Sequence, residues 1–265
     1  MKRAIYNNFM NKQTLVVAST YNEKDNIEDF LDGIWSHLDT DVVIIDDNSP
    51  DGTGNILDQI AQRDSRLKVI HRPRKMGITT AILTGIHHGV ESKYAYIFTM
   101  DADGSHNAKY LLPMLNNLND VPFGVCVGSR LVKGGGIVGR NSGRDFLTTW
   151  GNFYIRTILQ LKLHDCTSGF RCMTLAAASL VVNNIQVSSQ GYGMQIEFNY
   201  AWANNYVPCL EFPIVFEDRK FGVSKMTKGI ILESLLVVWK LRFQKNKSVS
   251  TAWQKEHLQC TNNTV

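Results

Sequence analysis

Cysteine is scarce in this sequence, and its five copies follow no recognisable pattern. The sequence contains no Cys-x-x-Cys pair and no group of cysteines and histidines with the spacing of a zinc site. An odd number of scattered cysteines is typical of a cytosolic protein whose thiols stay reduced. We therefore expect reduced thiols rather than disulfide bonds.

Long hydrophobic runs are also missing. The first 13 residues are polar and contain no apolar segment of the kind found in secretory signals. The longest apolar stretch near the C terminus, residues 229–243, is interrupted by Glu233, Lys240 and Arg242 and is too short to span a bilayer. We expect a cytoplasmic protein without a transmembrane helix.

Neither sign of charge dominates. The net charge is +4, from 28 lysines and arginines against 24 aspartates and glutamates, and it does not by itself indicate nucleic-acid binding. It is compatible with anionic substrates or an anionic membrane surface. The content of 44% hydrophobic and 20% charged residues is typical of a globular protein with one large α/β domain or two small ones.

Apolar runs alternate with stretches of helical periodicity over the first hundred or so residues. The predicted strands are 14–18, 41–45, 67–71 and 94–100, and the predicted helices between them are 26–38, 56–63 and 79–89. This alternation is typical of an α/β fold with an open, mostly parallel sheet flanked by helices.

The second half contains the same kinds of segment in a less regular order. The predictions are a strand at 125–130, a glycine-rich loop at 134–144, a helix at 146–161, a turn-rich segment at 164–171, a helix at 191–203, a strand at 210–216, a loop at 221–227 and a helix at 229–243. Residues 245–265 are polar and lack periodicity, which predicts a mobile tail.

Acidic side chains follow three of the predicted strands, within residues 21–23, 46–47 and 101–103. In open α/β sheets, ligands bind outside the carboxyl ends of the strands. We therefore expect the three groups to converge on one crevice. Adjacent acids such as Asp46 and Asp47 repel each other and are poorly explained by turn chemistry, so a carboxylate that accepts hydrogen bonds from a base or a ribose is the functional interpretation.

Asp101-Ala102-Asp103 is the most informative of these groups. Carboxylate oxygens at a strand end suit Mg²⁺ or Mn²⁺, which commonly bridge protein carboxylates to substrate phosphates. An isolated Asp-x-Asp is more often a solvated turn or a helix cap. Two other acidic strand ends in the same crevice favour the metal site. His106 is predicted to belong to the local turn and not to bind the metal.

Basic residues in or beside predicted loops complement the acidic crevice. They are Arg130, Arg144, Arg219 and Lys225. Arginine binds phosphate through a planar fork. Any one of the four is most simply a surface charge, but together they predict a site for phosphate groups beyond those that one metal ion neutralises.

Eight ordered blocks over about residues 14–243 resemble family 2 glycosyltransferases and, within them, the dolichyl-phosphate (polyprenyl-phosphate) mannose synthases. The blocks are TYNEKDNI (20–27), VVIIDDNSPDGT (42–53), RPRKMGITTAI (72–82), MDADGSHN (100–107), GSRLVKGGGIVGRNSGR (128–144), DCTSGFRC (165–172), GYGMQIE (191–197) and VFEDRKFGVSKM (215–226). The resemblance implies a GT-A fold. It also implies metal-dependent, inverting transfer of a hexose, with mannose favoured, from a nucleoside diphosphate sugar such as GDP-mannose to the phosphate of a polyprenol or dolichol carrier.

The resemblance also implies roles for individual residues. The nucleoside would be held by Tyr21, Glu23, Ile45 and Asp47. The diphosphate and an Mg²⁺ or Mn²⁺ ion would be held by Asp101, Ala102 and Asp103, with Ser105 next to the metal. The donor diphosphate or the acceptor phosphate would be contacted by Arg130, Arg219 and Lys225, and the acceptor phosphate also by Arg144 and Thr148. The residues expected to carry the chemistry are Asp101, Asp103, Arg130, Arg219 and Lys225.

The predicted organisation is an N-terminal extension (1–13), a catalytic domain (14–228), a C-terminal helix (229–244) and the tail (245–265). The helix lies either in the bilayer interface or against the core, since Trp239, Lys240 and Arg242 suit an interfacial position. The enzyme would then be peripheral on the cytosolic face of a membrane. A membrane-embedded partner subunit is a further option.

Two other functions remain open at this point. One is a transferase of the same fold that uses a UDP-sugar donor or a hydroxyl acceptor, for which Glu197 or Asp165 could serve as the base. The other is a non-catalytic module that binds a nucleotide sugar. The presence of Asp101, Asp103, Arg130 and Lys225 argues against the module.

Overall fold

The computed structural model describes residues 13–140, 142–185, 187–189, 191–218 and 228–244. In this part of the chain the strands are β1 (Thr14–Thr20), β2 (Asp41–Asp46), β3 (Leu67–His71), β4 (Tyr96–Thr99), β5 (Val125–Ser129), β6 (Gly136–Val138), β7 (Arg171–Thr174), β8 (Cys209–Pro213) and β9 (Val215–Glu217). The α-helices are α1 (Ile27–His37), α2 (Thr53–Ala61), α3 (Ile78–Glu91), α4 (Leu111–Asn116), α5 (Ser142–Leu159), α6 (Leu175–Asn184), α7 (Tyr192–Asn204) and α8 (Lys228–Phe243).

Seven of these strands form one open sheet in the order β3-β2-β1-β4-β7-β5-β8. Six of them run in the same direction, and β7 runs antiparallel to both of its neighbours. Strands β6 and β9 pair in parallel as a separate small sheet. Helices cover both faces of the large sheet, so the predicted α/β fold with a mostly parallel sheet is confirmed.

The hydrophobic core lies on both faces of the large sheet because its central strands are apolar on both sides. In β1, Leu15 and Val17 face the layer that contains α3, α5, α6, α7 and α8. Val16 and Ala18 face the layer that contains α1, α2 and α4. Successive side chains of a strand point to opposite faces, so a strand buried on both faces has a continuous apolar sequence.

Several features of the fold differ from the predictions. The sequence does not predict β6, β7, α4 or α6, and residues 210–216 contribute to two strands in different sheets rather than to one. Ile214 lies between these strands; its N–H donates to Ser129 O (3.0 Å) and its carbonyl accepts from Gly136 N (3.0 Å). Strands of three or four residues are too short to show periodicity, so only their pairing with distant residues reveals them.

Helix α8 has two different faces. The side chains buried against the core include Val237, Val238 and Leu241, and the exposed large apolar side chains are Leu236, Trp239 and Phe243. The predicted packing against the core therefore describes only one face of the helix. No helix in the described ranges has both the length and the hydropathy needed to cross a bilayer. The predicted tail, the loop at 221–227 and residues 1–12 lie outside those ranges.

Candidate active site

The carboxyl ends of β2, β1 and β4 lie side by side at one edge of the large sheet. Strand β1 is hydrogen-bonded in parallel to both of the others. Neighbouring strands are spaced about 5 Å apart, so the ends of β2 and β4 are separated by about 10 Å. The predicted convergence of residues 21–23, 46–47 and 101–103 is therefore confirmed, and we call this region the acidic crevice.

Asp47 organises the loop that follows β3. Its buried carboxylate forms an ion pair with Arg72, and its Oδ2 accepts hydrogen bonds from the backbone N–H groups of Met76 (3.0 Å) and Gly77 (3.1 Å). Arg72 also donates to Gly77 O (2.9 Å). The carboxylate predicted to contact a nucleoside thus holds residues 72–77 against the end of β2.

Asp46 uses a different set of donors, which explains how two adjacent acids are accommodated. Its carboxylate accepts from the Thr20 hydroxyl (2.9 Å) and from both the N–H (3.1 Å) and the hydroxyl (2.5 Å) of Ser49. Each acid is therefore stabilised by its own hydrogen bonds, and the two side chains are held apart.

The remaining residues predicted for the nucleoside differ in their exposure. The Lys75 ammonium lies 4.1 Å from the centre of the Tyr21 ring. Glu23 is buried at the start of α1, where its carboxylate accepts from Asn26 Nδ2 (2.9 Å). The Ile45 side chain is buried in the core against α3 and does not line the crevice.

Asp101 and Asp103 flank a buried methyl group. The Ala102 side chain belongs to the core, the Asp101 side chain is 41% exposed, and Asp103 is only 8% exposed. Both the N–H (3.1 Å) and the hydroxyl (2.6 Å) of Ser105 donate to Asp103 Oδ1. Gly104 permits this tight turn because it adopts a φ of +78°, a conformation that strains other residues.

His106 holds the backbone of Asp101 through a hydrogen bond. Its Nδ1 accepts a hydrogen bond from the Asp101 N–H (2.9 Å), so the ring proton belongs on Nε2, which lies 4.0 Å from Asp101 Oδ2. The ring stacks on Phe170 at 5.1 Å and meets the edge of Phe216 at 5.7 Å. These contacts fix the direction in which the chain leaves β4.

The oxygen donors in the acidic crevice fit Mg²⁺ or Mn²⁺. Two carboxylates, Asp101 and Asp103, and the Ser105 hydroxyl are hard ligands of the kind that these ions prefer. The described residues contain no group of three His, Cys, Asp or Glu side chains that could hold a metal ion alone.

A second cleft lies between α5 and α8, with a volume of about 120 Å³. It is lined by Arg130, Arg140, Arg144, Leu147, Thr148, Trp150, Gly151, Ile155, Thr167, Ser234 and Leu235. We call it the arginine cleft. It brings together Arg130, Arg144 and Thr148, which were predicted to bind a phosphate. Three guanidinium groups and several apolar side chains line it.

Arg130 is held rigidly at this cleft by Asp165. Its Nε and Nη2 each donate to a different carboxylate oxygen of Asp165 at 2.7 Å, and Nη2 also donates to the Thr167 hydroxyl at 2.8 Å. Burial by itself would raise the pKa of the Asp165 carboxyl, but the adjacent Arg130 guanidinium outweighs it and lowers that pKa. Asp165 is therefore an ionised partner of Arg130.

Neither carboxylate considered as a base for a hydroxyl acceptor is placed for that role. Asp165 is fully buried in its pair with Arg130. Glu197 is buried too, and its carboxylate accepts from the N–H and hydroxyl of Ser188 (2.9–3.2 Å) and from the N–H of Ser189 (3.3 Å). Both groups hold the backbone or side chains around the site.

Phe216 links the two regions. Its ring centre lies 5.5 Å from the Arg130 guanidinium carbon and 4.8 Å from that of Arg140, and the same ring contacts His106 beneath Asp101. The arginine cleft therefore adjoins the acidic crevice. Arg219 and Lys225, which were also predicted to bind phosphate, lie outside the described residues.

Two basic residues at the site, Arg72 and Arg140, are absent from the predicted set. Both stand in sequence blocks that carry the family resemblance, RPRKMGITTAI and GSRLVKGGGIVGRNSGR, and this was the available signal. Several arginines and lysines occur in these blocks. Which of them face the site is decided by tertiary contacts.

The fold is shared with glycosyltransferases of known structure. The mannosyltransferase PcManGT from Pyrobaculum calidifontis, solved with GDP-Man and Mn²⁺, matches with a TM-score of 0.55 at 15% identity, over 94% of this chain and 79% of that one. Glucosyl-3-phosphoglycerate synthase from Mycobacterium tuberculosis, solved with Mn²⁺, UDP and glucosyl-3-phosphoglycerate, matches with a TM-score of 0.60 at 15% identity, over 89% and 82%. The large sheet and its helices thus form a GT-A fold.

Sequence comparisons give the family. The model of glycosyl transferase family 2 matches residues 15–179. The polyprenol monophosphomannose synthase of Mycolicibacterium smegmatis is 36% identical over 239 residues, which are 87% of this chain and 88% of that protein. The undecaprenyl-phosphate mannosyltransferase of Micrococcus luteus is 34% identical over 230 residues, 85% and 92% of the two chains. The chain therefore belongs to glycosyl transferase family 2 and is a glycosyltransferase.

Proposed function

We propose that this enzyme transfers a hexose, mannose in the first place, from a nucleoside diphosphate sugar to the phosphate of a polyprenol or dolichol carrier lipid. The observation that carries the proposal is the arginine cleft. Three guanidinium groups line it together with apolar side chains, and it adjoins the acidic crevice. This combination matches an acceptor that has an anionic head and a hydrocarbon chain.

The chemistry of such an acceptor agrees with the residues present. A phosphate monoester is already an anion and can attack without a general base, whereas a sugar hydroxyl needs one. The two carboxylates considered as a base, Asp165 and Glu197, are occupied by other groups. The remaining difficulty is to bring two anions together. Arg130, Arg140 and Arg144 line the cleft as hydrogen-bond donors for phosphate, although Arg130 is paired with Asp165 and Arg144 with Asp218 (3.4 Å).

On the donor side, Asp101, Asp103 and Ser105 would hold Mg²⁺ or Mn²⁺. When bound, this ion would neutralise the diphosphate as it leaves. Attack from the arginine cleft, on the side of the hexose opposite the diphosphate, inverts the anomeric centre. Mannose is supported by the names of the two relatives, a polyprenol monophosphomannose synthase and an undecaprenyl-phosphate mannosyltransferase.

The experiment that tests the function is a transfer assay with two donors and two acceptors. GDP-mannose and UDP-glucose are each offered with undecaprenyl phosphate or a simple saccharide, in Mn²⁺, in Mg²⁺ and in EDTA. We expect a mannosylated lipid from GDP-mannose with either metal and no product in EDTA. A product formed only from UDP-glucose, or only on the saccharide, would refute the proposal.

Arg144→Ala separates a lipid phosphate acceptor from the alternatives. Removing one guanidinium from the arginine cleft is expected to lower kcat/KM for undecaprenyl phosphate about 10- to 100-fold, the range for losing a hydrogen bond to a charged group. The Kd for GDP with Mn²⁺ should not change. Arg63→Ala, an exposed arginine after α2, is the matched control. An unchanged kcat/KM in Arg144→Ala would argue for another acceptor.

A surface beside the arginine cleft supports contact with the membrane that contains such a lipid. We use the name aromatic surface for the exposed large apolar side chains of the two helices that line the cleft, Phe146, Leu147, Trp150, Phe153, Leu236, Trp239 and Phe243. They belong to α5 and α8, which pack together. Lys240 and Arg242 are close to it in sequence and would favour an anionic leaflet. The proposed location is peripheral, on the cytosolic face of a membrane.

Sedimentation with vesicles tests this location. The double substitution Trp150→Ser and Phe153→Ser is expected to lower the partition coefficient onto vesicles of anionic phospholipid by about 10-fold or more, because each side chain loses favourable burial of apolar area. Met76→Ser, an exposed apolar residue in the loop after β3, should bind like the unsubstituted protein. If the unsubstituted protein stays in the supernatant, peripheral binding is wrong, and a membrane-embedded partner would be required.

A further inference from the structure

Gln195 is a buried amide near the acidic crevice to which the chemistry described above assigns no role. It lies near the start of α7 and is only 7% exposed. Its Oε1 atom is buried and has no hydrogen-bond partner among the described residues. A buried carbonyl oxygen without a donor is unfavourable and is uncommon in folded proteins. Because Gln195 borders the acidic crevice at Gly169, a ligand bound there could supply the donor.

The surroundings of Gln195 identify where such a ligand lies. Both the amide and Asp101 lie next to Gly169: a Cβ atom built on Gly169 would be 3.5 Å from Gln195 Nε2 and 3.6 Å from Asp101 Oδ1. The Gly169 carbonyl accepts from the Thr99 hydroxyl (2.8 Å), which ties it to the end of β4. Gln195 and Asp101 therefore both border the space beside Gly169, which has no side chain to fill it.

The backbone at Gln195 is fixed before any ligand arrives. The fully buried Arg171 guanidinium donates to the Gln195 carbonyl (3.3 Å) and to Ser168 O (2.9 Å). Two residues further along α7, the Glu197 carboxylate accepts a hydrogen bond from the Ser188 hydroxyl. Because these contacts hold the start of α7 in place, the Gln195 side chain loses little conformational entropy when it binds a ligand. A small entropy loss favours a residue that recognises substrate.

We propose that Gln195 recognises the hexose of the donor, with Oε1 accepting a hydrogen bond from a sugar hydroxyl. This inference rests on the proposed function. A phosphate offers only acceptor oxygens at neutral pH and gives nothing to a carbonyl, whereas a hydroxyl donates to it. A carboxylate at this position would repel Asp101, and an amide provides the acceptor without the charge.

The test is a comparison of two ligands in Gln195→Met, which keeps the length of the side chain and removes its polar atoms. We expect kcat/KM for GDP-mannose to fall about 10-fold or more, the effect of losing a hydrogen bond and of leaving a donor unpaired. The Kd for GDP with Mn²⁺, which contains no hexose, should stay within about twofold of its original value because no contact to it is lost.

Asn199→Leu is the matched control, because Asn199 lies one turn further along α7, is also buried and has a buried carbonyl oxygen with no hydrogen-bond partner in the described part of the chain. It should lower the Tm and leave kcat/KM for GDP-mannose unchanged. Equal weakening of GDP and GDP-mannose in Gln195→Met would overturn the proposal, since the amide would then serve the metal or Asp101. An unaltered kcat/KM in Gln195→Met would also overturn it. If the proposed function itself is wrong, the unsubstituted protein will transfer no hexose to the lipid. That result differs from either outcome with Gln195→Met.

Discussion

Asp103→Asn is expected to lower kcat for hexose transfer by about 100- to 1,000-fold, the loss seen when one group that stabilises developing charge is removed. The asparagine oxygen can still accept from Ser105, which donates two hydrogen bonds to Asp103 Oδ1. The turn should therefore keep its shape while the site loses one negative charge. The apparent affinity for Mn²⁺ should fall together with kcat.

The measurement is a Mn²⁺ titration of the initial rate at saturating GDP-mannose. Asp58→Asn is the control. Asp58 is an exposed carboxylate on α2, and its side chain contacts His71 (2.8 Å). The control variant should show the unsubstituted rate and metal dependence. If Asp103→Asn keeps more than about a tenth of the original kcat, the charge at this position is not part of the chemistry.

Asp165→Ala is expected to lower the free energy of unfolding by about 3–5 kcal/mol, because it leaves the buried Arg130 guanidinium without its counter-charge. Urea unfolding at neutral pH measures this. The double substitution Arg130→Met and Asp165→Leu should recover most of the lost stability, since replacing both members of a buried pair with apolar side chains is often neutral. Its hexose transfer should stay low because the cleft has lost an arginine.

The same pair gives a pH dependence with a defined direction. The pKa of Asp165 is lower in the folded protein than its ordinary value of 3.8, so its contribution to stability is fully present above that pH. The contribution is lost as the pH falls below 3.8 through the folded pKa. The stability difference between the unsubstituted protein and Asp165→Asn should therefore be large at neutral pH and should shrink in strong acid. A difference that stays constant from neutral pH into strong acid would contradict the assigned ion pair.

Glu197 and Asp165 illustrate why roles are harder to predict than positions. Both are carboxylates in sequence blocks shared with the family, and the sequence leaves open that either could act as a base. The structure shows that each already accepts several hydrogen bonds from neighbouring groups. The donors to Asp165 come from Arg130, 35 residues away, and those to Glu197 come from a turn at Ser188 that the sequence does not predict. Only the folded structure therefore distinguishes a free base from a structural carboxylate.

Ile45 and Ala102 make the same point for the nucleotide side of the site. The sequence places both next to acidic residues at strand ends, which is correct. Their side chains are buried in the core, on the two different faces of the sheet. A site residue named by its place in a motif can thus contribute only its position along the chain, while its side chain stabilises the fold.

The open, mostly parallel sheet, the edge at which its acidic residues meet and the family resemblance could all be predicted from the residues in order. Four short apolar runs separated by helices leave few ways to bury both faces of each strand, and the carboxyl ends of parallel strands share one edge. Tertiary structure alone decided that Arg72 pairs with Asp47, that Arg140 joins Arg130 at one cleft, and that short strands such as β6 and β9 form at all. These features depend on contacts between distant parts of the chain, whose energies exceed any local preference of the residues involved.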